Sequence, residues 1–170
     1  MKILTPLLFV IIASFSSLAG ENISHFRASF VEIKNYETAE AFLATEVSES
    51  NFSFSVTIRS YKAVCKMMMA QYVYNPFTKY SWFNKGKTLL EQSIVLDKNV
   101  ENIYLRLIVQ INVPSFLGYK TEIESDTKYI LENLEKSAIP EETKRFILKN
   151  LINTGELETM KPLAKKYNVI

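Results

Sequence analysis

The scarcity of glycine and proline is the feature of this 170-residue sequence that most restricts its fold. After the first twenty residues the chain keeps three glycines and four prolines. An all-β chain needs many turns, which draw on these two residue types, whereas helices need them only at their ends. The sequence therefore predicts an all-α fold. The positions are Gly86, Gly118, Gly155, Pro76, Pro114, Pro140 and Pro162.

Apolar residues at helical spacing divide the chain into about seven or eight helices. A long fourth helix is expected from Pro76, capped by Asn75, to about Leu96. The link Asp97 to Asn99 then opens a fifth helix that is apolar on nearly every side. A polar link, Glu49 to Ser55, is expected before the third helix. Because short links favour antiparallel neighbours, we expect helical hairpins in a tetratricopeptide-like α-α superhelix or a compact bundle.

The N-terminal segment has the pattern of a secretory signal peptide. A single Lys2 precedes an apolar run from Ile3 to Ala13, and small residues follow at Ser17 and Ala19. The run is shorter than the roughly 20 residues that span a bilayer, so cleavage after Ala19 is favoured over an anchor helix. We expect residues 1–19 to be the signal peptide, residues 20–170 to form one helical domain, and no membrane span to remain after cleavage.

The cysteine and charge content restrict the location and the partners. Cys65 is the only cysteine, so no intrachain disulfide is possible, and it lies too far from the leader to carry a lipid. This favours a periplasmic or secreted protein that is stabilised by its core alone. The mature chain would hold 19 basic and 18 acidic residues, because Lys2 leaves with the leader. That balance predicts no binding to nucleic acid.

One segment resembles part of a tetratricopeptide repeat. Gly86 to Asn102, GKTLLEQSIVLDKNVEN, is similar to the second helix of such a repeat running into the next one. Asp97-Lys98-Asn99 stands where the motif has Asp-Pro-Asn. No 34-residue period recurs, so the resemblance implies one degenerate helical hairpin. Leu90, Ser93 and Leu96 occupy the motif's aromatic, small and apolar positions.

A wider resemblance covers most of the mature chain. The pieces that carry it include NPF from Asn75, WFNKG from Trp82, and NVPSFLGY from Asn112 to Tyr119. In these pieces the chain resembles a group of uncharacterised exported helical proteins from Bacteroidetes. The resemblance implies an exported helical protein and assigns no activity.

The sequence offers no recognisable catalytic or metal-binding set. His25 is the sole histidine, so a Ser-His-Asp triad or a catalytic zinc site would have to use it. Cys65 lies within an apolar run, where a buried small side chain is expected rather than a nucleophile. No glycine-rich phosphate loop or metal-ligand spacing occurs. We therefore predict no catalytic residues, no cofactor and no metal.

An aromatic group around Asn75-Pro76 is the best candidate for a binding surface. Its six rings within twelve residues exceed what one helical hairpin needs, and two more rings follow Pro114. Most of the rings are expected in the joint between the third and fourth helices, and the alternative is a pocket or a partner surface. The candidate residues are Tyr72, Tyr74, Phe77, Tyr80, Trp82, Phe83, Phe116 and Tyr119.

Arg106 falls on the apolar fifth helix, where a guanidinium must be paired. Glu101 is the first candidate partner, with Glu91 and Asp97 as others, and binding of a ligand carboxylate is the alternative. A separate acidic cluster opens the sixth helix, where it complements the helix dipole. That cluster consists of Glu122, Glu124 and Asp126.

These observations favour an exported, non-catalytic, helical-repeat-like module that binds or scaffolds a protein partner in the periplasm. A small apolar-ligand or lipid-binding protein is the alternative, with Met67 to Met69 and the aromatic group lining a cavity. A hydrolytic enzyme that uses carboxylates and tyrosine is the third. An exposed aromatic patch would favour the first function, and an enclosed apolar cavity of about 300 Å³ or more the second.

Overall fold

The computed structural model describes residues 23–46, 51–154 and 158–170, and this part of the chain contains eight α-helices and no strand. The prediction of an all-α fold is confirmed. The predicted signal peptide, residues 1–19, lies outside the described residues. The hairpin and superhelix arrangement stays a prediction.

Helix α1 covers residues 23–31 of the described chain. The remaining helices are α2 (Tyr36–Ala44), α3 (Phe52–Met68), α4 (Pro76–Leu96), α5 (Val100–Asn112), α6 (Ile123–Asn133), α7 (Glu141–Asn153) and α8 (Lys161–Lys166). Three short 3₁₀ segments cover Met69–Gln71, Ser115–Leu117 and Glu158–Met160.

Asparagine caps fix where four of these helices begin. The Asn75 side chain accepts hydrogen bonds from the backbone N–H groups of Phe77 (2.9 Å) and Thr78 (3.2 Å). Asn99 caps α5 in the same way, as the sequence predicts, and Asn35 caps α2. Asn51 caps α3 and starts it at Phe52, so the predicted polar link from Glu49 to Ser55 was wrong for its last four residues.

The described part of the chain divides into two compact units, one that ends at Ser93 and one that begins at Ile94, and the division falls within α4. In the first unit, edge-on aromatic pairs join the first three helices. The ring of Phe42 lies 5.5 Å from Phe26, and the ring of Phe30 lies 4.9 Å from Tyr61. The predicted single domain over residues 20–170 stays a prediction.

Helix α4 crosses α3 at Gly86 with almost no space between the backbones. A Cβ atom at Gly86 would lie 2.5 Å from the Ala63 carbonyl oxygen and 2.9 Å from the Met67 amide nitrogen. It would also overlap Met67 Cγ. Glycine is therefore required here for close approach, not for backbone conformation.

In the second unit α5 is the central helix, and it packs against α6 and α7. Eleven of its thirteen residues are buried, as predicted for an apolar helix surrounded by its neighbours. The Tyr104 ring meets Phe146 of α7 edge-on, and Asn150 Nδ2 donates to the Tyr104 hydroxyl over 3.0 Å. Helix α8 packs on α7.

Measured against the thickness of a bilayer, none of the helices in the described ranges is both long enough and apolar enough to cross it.

Candidate functional site

The start of α4 and the residue two positions before it present three large aromatic side chains to solvent. Tyr74 is 100% exposed, Phe77 84% and Tyr80 59%. The Asn75 cap and Pro76 fix the helix start, so Tyr74 lies just outside the helix and Phe77 and Tyr80 lie one turn apart on it. Single exposed apolar residues are common, whereas here three large rings within seven residues are exposed, and contiguous exposed apolar surface is typical of interaction sites. We call Tyr74, Phe77 and Tyr80 the aromatic surface.

Of the other five predicted aromatic residues, only Phe116 is exposed to a similar degree. Tyr72 and Trp82 are half-buried, and Phe83 is buried in the core of the first unit. In the second unit Phe116 is 86% exposed on the 3₁₀ segment after α5, while Tyr119 is buried. Because Phe116 and Tyr119 belong to the second unit, their association with the other rings stays a prediction.

Two lysines lie over the ring of Trp82. The Nζ atom of Lys66, from α3, is 5.8 Å from the ring centroid, and that of Lys85, one turn further along α4, is 5.6 Å away. A cation over an indole face is attracted by the ring quadrupole, which holds both ammonium groups near the surface of the first unit.

These lysines line a groove on the first unit, made of two adjoining cavities of about 490 and 240 Å³. The cavities share Lys66 and Leu89 in their walls. We call the combined space the basic groove, because four of its lining residues are cationic. They are Arg59, Lys62, Lys66 and Lys85, and the rest of the lining is Leu43, Ser55, Ile58, Asn84, Thr88, Leu89 and Gln92.

The cations of the basic groove have few negative neighbours. Lys62 donates to the backbone carbonyls of Leu43 (3.3 Å) and Thr45, and Arg59 Nη2 donates to Gln92 Oε1 over 2.8 Å. Burial and the nearby charge of Lys66 lower the pKa of Lys62, an effect that Glu46 opposes. The groove thus concentrates positive charge.

These basic residues were not predicted as a binding site, because the charges of the whole chain balance. The missed signal is local: residues 51–90 contain six basic residues and no acidic one. Such a run on two helices that pack together predicts a positive face whatever the total charge. The six are Arg59, Lys62, Lys66, Lys79, Lys85 and Lys87.

Arg106 is buried and paired, but with a residue outside the predicted set. Its Nε donates to Asp126 Oδ2 over 2.8 Å and its Nη2 to Asp126 Oδ1 over 2.6 Å, a bidentate pair between α5 and α6. Asp126 is buried, so the interpretation that it only complements the α6 dipole was wrong. The predicted pairing of Arg106 with Glu101, which is also buried, stays a prediction.

The two residues weighed for catalysis lie in unlike surroundings. Cys65 is fully buried, donates to the Ala39 carbonyl over 3.5 Å, and has its pKa raised by burial to about 12. Its thiol is therefore protonated near neutral pH and is a poor nucleophile. His25 is exposed on α1, with Ser29 Oγ 3.5 Å from its Nε2. Across the described ranges no three His, Cys, Asp or Glu side chains are placed to hold a metal ion.

No known family, curated protein or solved structure matches this chain.

Proposed function

We propose that this protein is an exported, non-catalytic module that binds a partner protein in the periplasm through the aromatic surface. The proposal rests on the exposure of Tyr74, Phe77 and Tyr80, which fall within seven residues at the start of α4. Fully burying a large apolar side chain such as Phe contributes about 1.5 to 3 kcal/mol of free energy. The free protein leaves three exposed rings without this contribution. A partner that covers the rings recovers it.

The form of the surface favours a protein partner over a small apolar ligand. A ligand carrier encloses its ligand in an apolar cavity, whereas these rings point outward from the first turn of a helix. The two cavities of the first unit are lined by Lys, Arg, Asn and Gln side chains rather than by apolar ones alone. Aromatic side chains are also the type most often found at the centre of protein interfaces.

The periplasmic location rests on residues 1–19. We expect the mature protein to begin at Gly20, and mass spectrometry of the exported protein checks this. A mature chain that retains Met1 would refute the location without bearing on the aromatic surface.

A comparison of three proteins tests the function. The Y74S/F77S/Y80S variant removes the aromatic surface, and V31S/F52S/I170S removes three exposed apolar side chains elsewhere. Each tagged mature protein is incubated with periplasmic extract, and the captured proteins are quantified by mass spectrometry. We expect a protein captured by the wild type and the control variant to be lost from Y74S/F77S/Y80S, whose circular dichroism spectrum is unchanged.

Equal capture by all three proteins would refute the aromatic surface as the contact. A co-purified lipid in place of a protein would favour the apolar-ligand alternative.

A further inference from the structure

The basic groove and the aromatic surface meet on one side of α4. Residues three and four apart lie on the same face of a helix, so Phe77, Tyr80, Asn84 and Thr88 form one continuous stripe. Asn84 and Thr88 line the basic groove, and Phe77 and Tyr80 belong to the aromatic surface. At a rise of 1.5 Å per residue, Phe77 lies about 10 Å along the axis from Asn84. A bound chain of a few residues spans that distance.

We propose that the basic groove binds the carboxylates of an acidic segment of the partner protein, while apolar side chains of the same segment pack on the aromatic surface. The inference rests on the protein-binding function proposed above, and it adds the chemistry of the partner.

Unbalanced charge is the first support. Lys66 and Lys85 form no ion pair with a carboxylate of the described residues, and their ammonium groups rest on the Trp82 ring instead. Glu91 is the only acidic residue between positions 51 and 93, and it lines neither cavity. Glu46 raises the pKa of Lys62 and so opposes the effect of burial. Carboxylates entering the groove would supply the missing negative charge.

An unused hydrogen-bond donor is the second support. Arg59 Nε is buried and has no hydrogen-bond partner among the described residues, although Nη2 of the same guanidinium donates to Gln92. A buried N–H without an acceptor costs free energy, and a guanidinium is shaped to donate two parallel bonds to a carboxylate. Arg59 lines the smaller cavity, where such a carboxylate would sit.

The closeness of two lysines is the third support. Lys62 and Lys66 lie one turn apart on α3 and both line the smaller cavity, and the charge of Lys66 lowers the pKa of Lys62 further after burial has lowered it. An anion between them would relieve the repulsion, so these side chains would bind a carboxylate more strongly than two isolated surface lysines.

A segment of protein fits this combination better than other anions. A free phosphate would use the cations and leave the aromatic surface bare. Single-stranded nucleic acid can use both, but proteins that bind it carry an excess of positive charge, and this chain has a net charge of +2 with its leader. An acidic segment with apolar side chains needs only the local charge.

A random peptide library displayed on bacteriophage provides the probe. Peptides selected on the wild-type protein are sequenced and synthesised, and their affinities are measured by fluorescence anisotropy. We expect enrichment in Asp and Glu together with apolar residues, and binding that weakens as salt screens the charges. For K66E/K85E we expect the affinity for the peptides to fall by at least about fivefold. Each surface ion pair contributes about 1.5- to 5-fold to affinity, and reversing the charge adds repulsion.

The control is K149E, which makes the same kind of charge change at an exposed lysine of α7 in the second unit. It should bind the peptides as the wild type does. If circular dichroism shows that K66E/K85E is misfolded, the neutral variant K66Q/K85Q replaces it. We then expect the affinity for the peptides to fall by at least about twofold.

Selected peptides without acidic enrichment, or equal binding by K66E/K85E, would overturn the inference. Displacement of the peptides by inorganic phosphate, or tighter binding of a single-stranded oligonucleotide or of phosphatidylglycerol vesicles, would overturn it in favour of those anions. The same variants show whether the acidic segment or the proposed protein-binding function is wrong. If K66E/K85E still captures the periplasmic partner that Y74S/F77S/Y80S loses, the acidic segment is refuted and the aromatic surface stands.

Discussion

Gly86→Ala tests the crossing of α3 and α4 more sharply than any other single change. Alanine is the better helix former by about 1 kcal/mol, so helix propensity alone makes the variant more stable. The structure predicts the opposite sign. The new Cβ would lie 2.5 Å from the Ala63 carbonyl oxygen and 2.9 Å from the Met67 nitrogen, distances that real Cβ atoms essentially never show.

The size of the effect follows from what must move. Both obstructing atoms belong to the backbone of α3, so no rotamer change relieves the overlap, and the helices must separate by roughly 1 Å. Overpacking of this kind costs about 1 to 3 kcal/mol, and a rigid backbone neighbour places Gly86 at the upper end. After the gain in helix propensity, the net loss of unfolding free energy is about 2 kcal/mol.

Urea denaturation followed by circular dichroism measures this loss, and a thermal scan should show a melting temperature lower by about 4 to 8 °C. Ser81→Ala on an exposed position of the same helix is the control, and it should change stability by less than about 0.5 kcal/mol. A G86A protein as stable as the wild type, or more stable, would refute the close approach of α3 and α4.

Three further changes test the interior. Asp126→Asn removes the carboxylate that accepts two hydrogen bonds from the buried Arg106 guanidinium, and it should lower the unfolding free energy by about 3 kcal/mol in the same urea assay. The exposed control Glu124→Gln should change the unfolding free energy by less than about 0.5 kcal/mol. The amide of Gln110 is buried and has no hydrogen-bond partner among the described residues. Gln110→Met should therefore leave the unfolding free energy unchanged or raise it by up to about 2 kcal/mol. A fall of more than about 1 kcal/mol would show that the amide is hydrogen-bonded. The Cys65 thiol should react with a disulfide reagent only after unfolding. Because its pKa is about 12 in the folded protein and 9.0 in the unfolded chain, the unfolded chain loses the proton first as pH rises above 9.0, and stability falls by up to about 1.4 kcal/mol per pH unit. The fall should be shallower in Cys65→Ala, and an equal fall would contradict the assigned burial.

Local signals explain what could be predicted about the fold. The ends of α4 and the start of α5 follow from Asn75, Pro76 and Asn99, because a cap acts within three residues of its own position. Asn51 carried the same signal but was placed inside a polar link. Serines surround it at positions 48, 50, 53 and 55, and serine is favoured both in turns and in caps.

Long-range pairing explains what could not be predicted. Asp126 had an adequate local role near the start of α6, so nothing nearby required a partner. Its spacing did carry a signal, since Asp126, Ile130 and Leu134 are four residues apart and share the buried face. A carboxylate on such a face must find a cation, and Arg106 is the one that α5 supplies.

The candidate surface was predicted as one group because aromatic residues were counted without regard to helical face. Phe83 lies one turn before Gly86 and is buried, whereas Phe77 and Tyr80 lie roughly 180° and 120° around the helix from Gly86 and are exposed. Residue type does not distinguish these rings, but their spacing relative to the α3 crossing does.

Photo-crosslinking from position 77 tests the central claim most directly. With benzoylphenylalanine in place of Phe77, irradiation of cells that produce the protein should give a covalent adduct with one partner protein. The same group at Val31, an exposed position on α1, should give none. An adduct from position 77 alone is the predicted result, and no adduct, or equal adducts from both positions, would contradict the claim that the first turn of α4 is the contact with a partner.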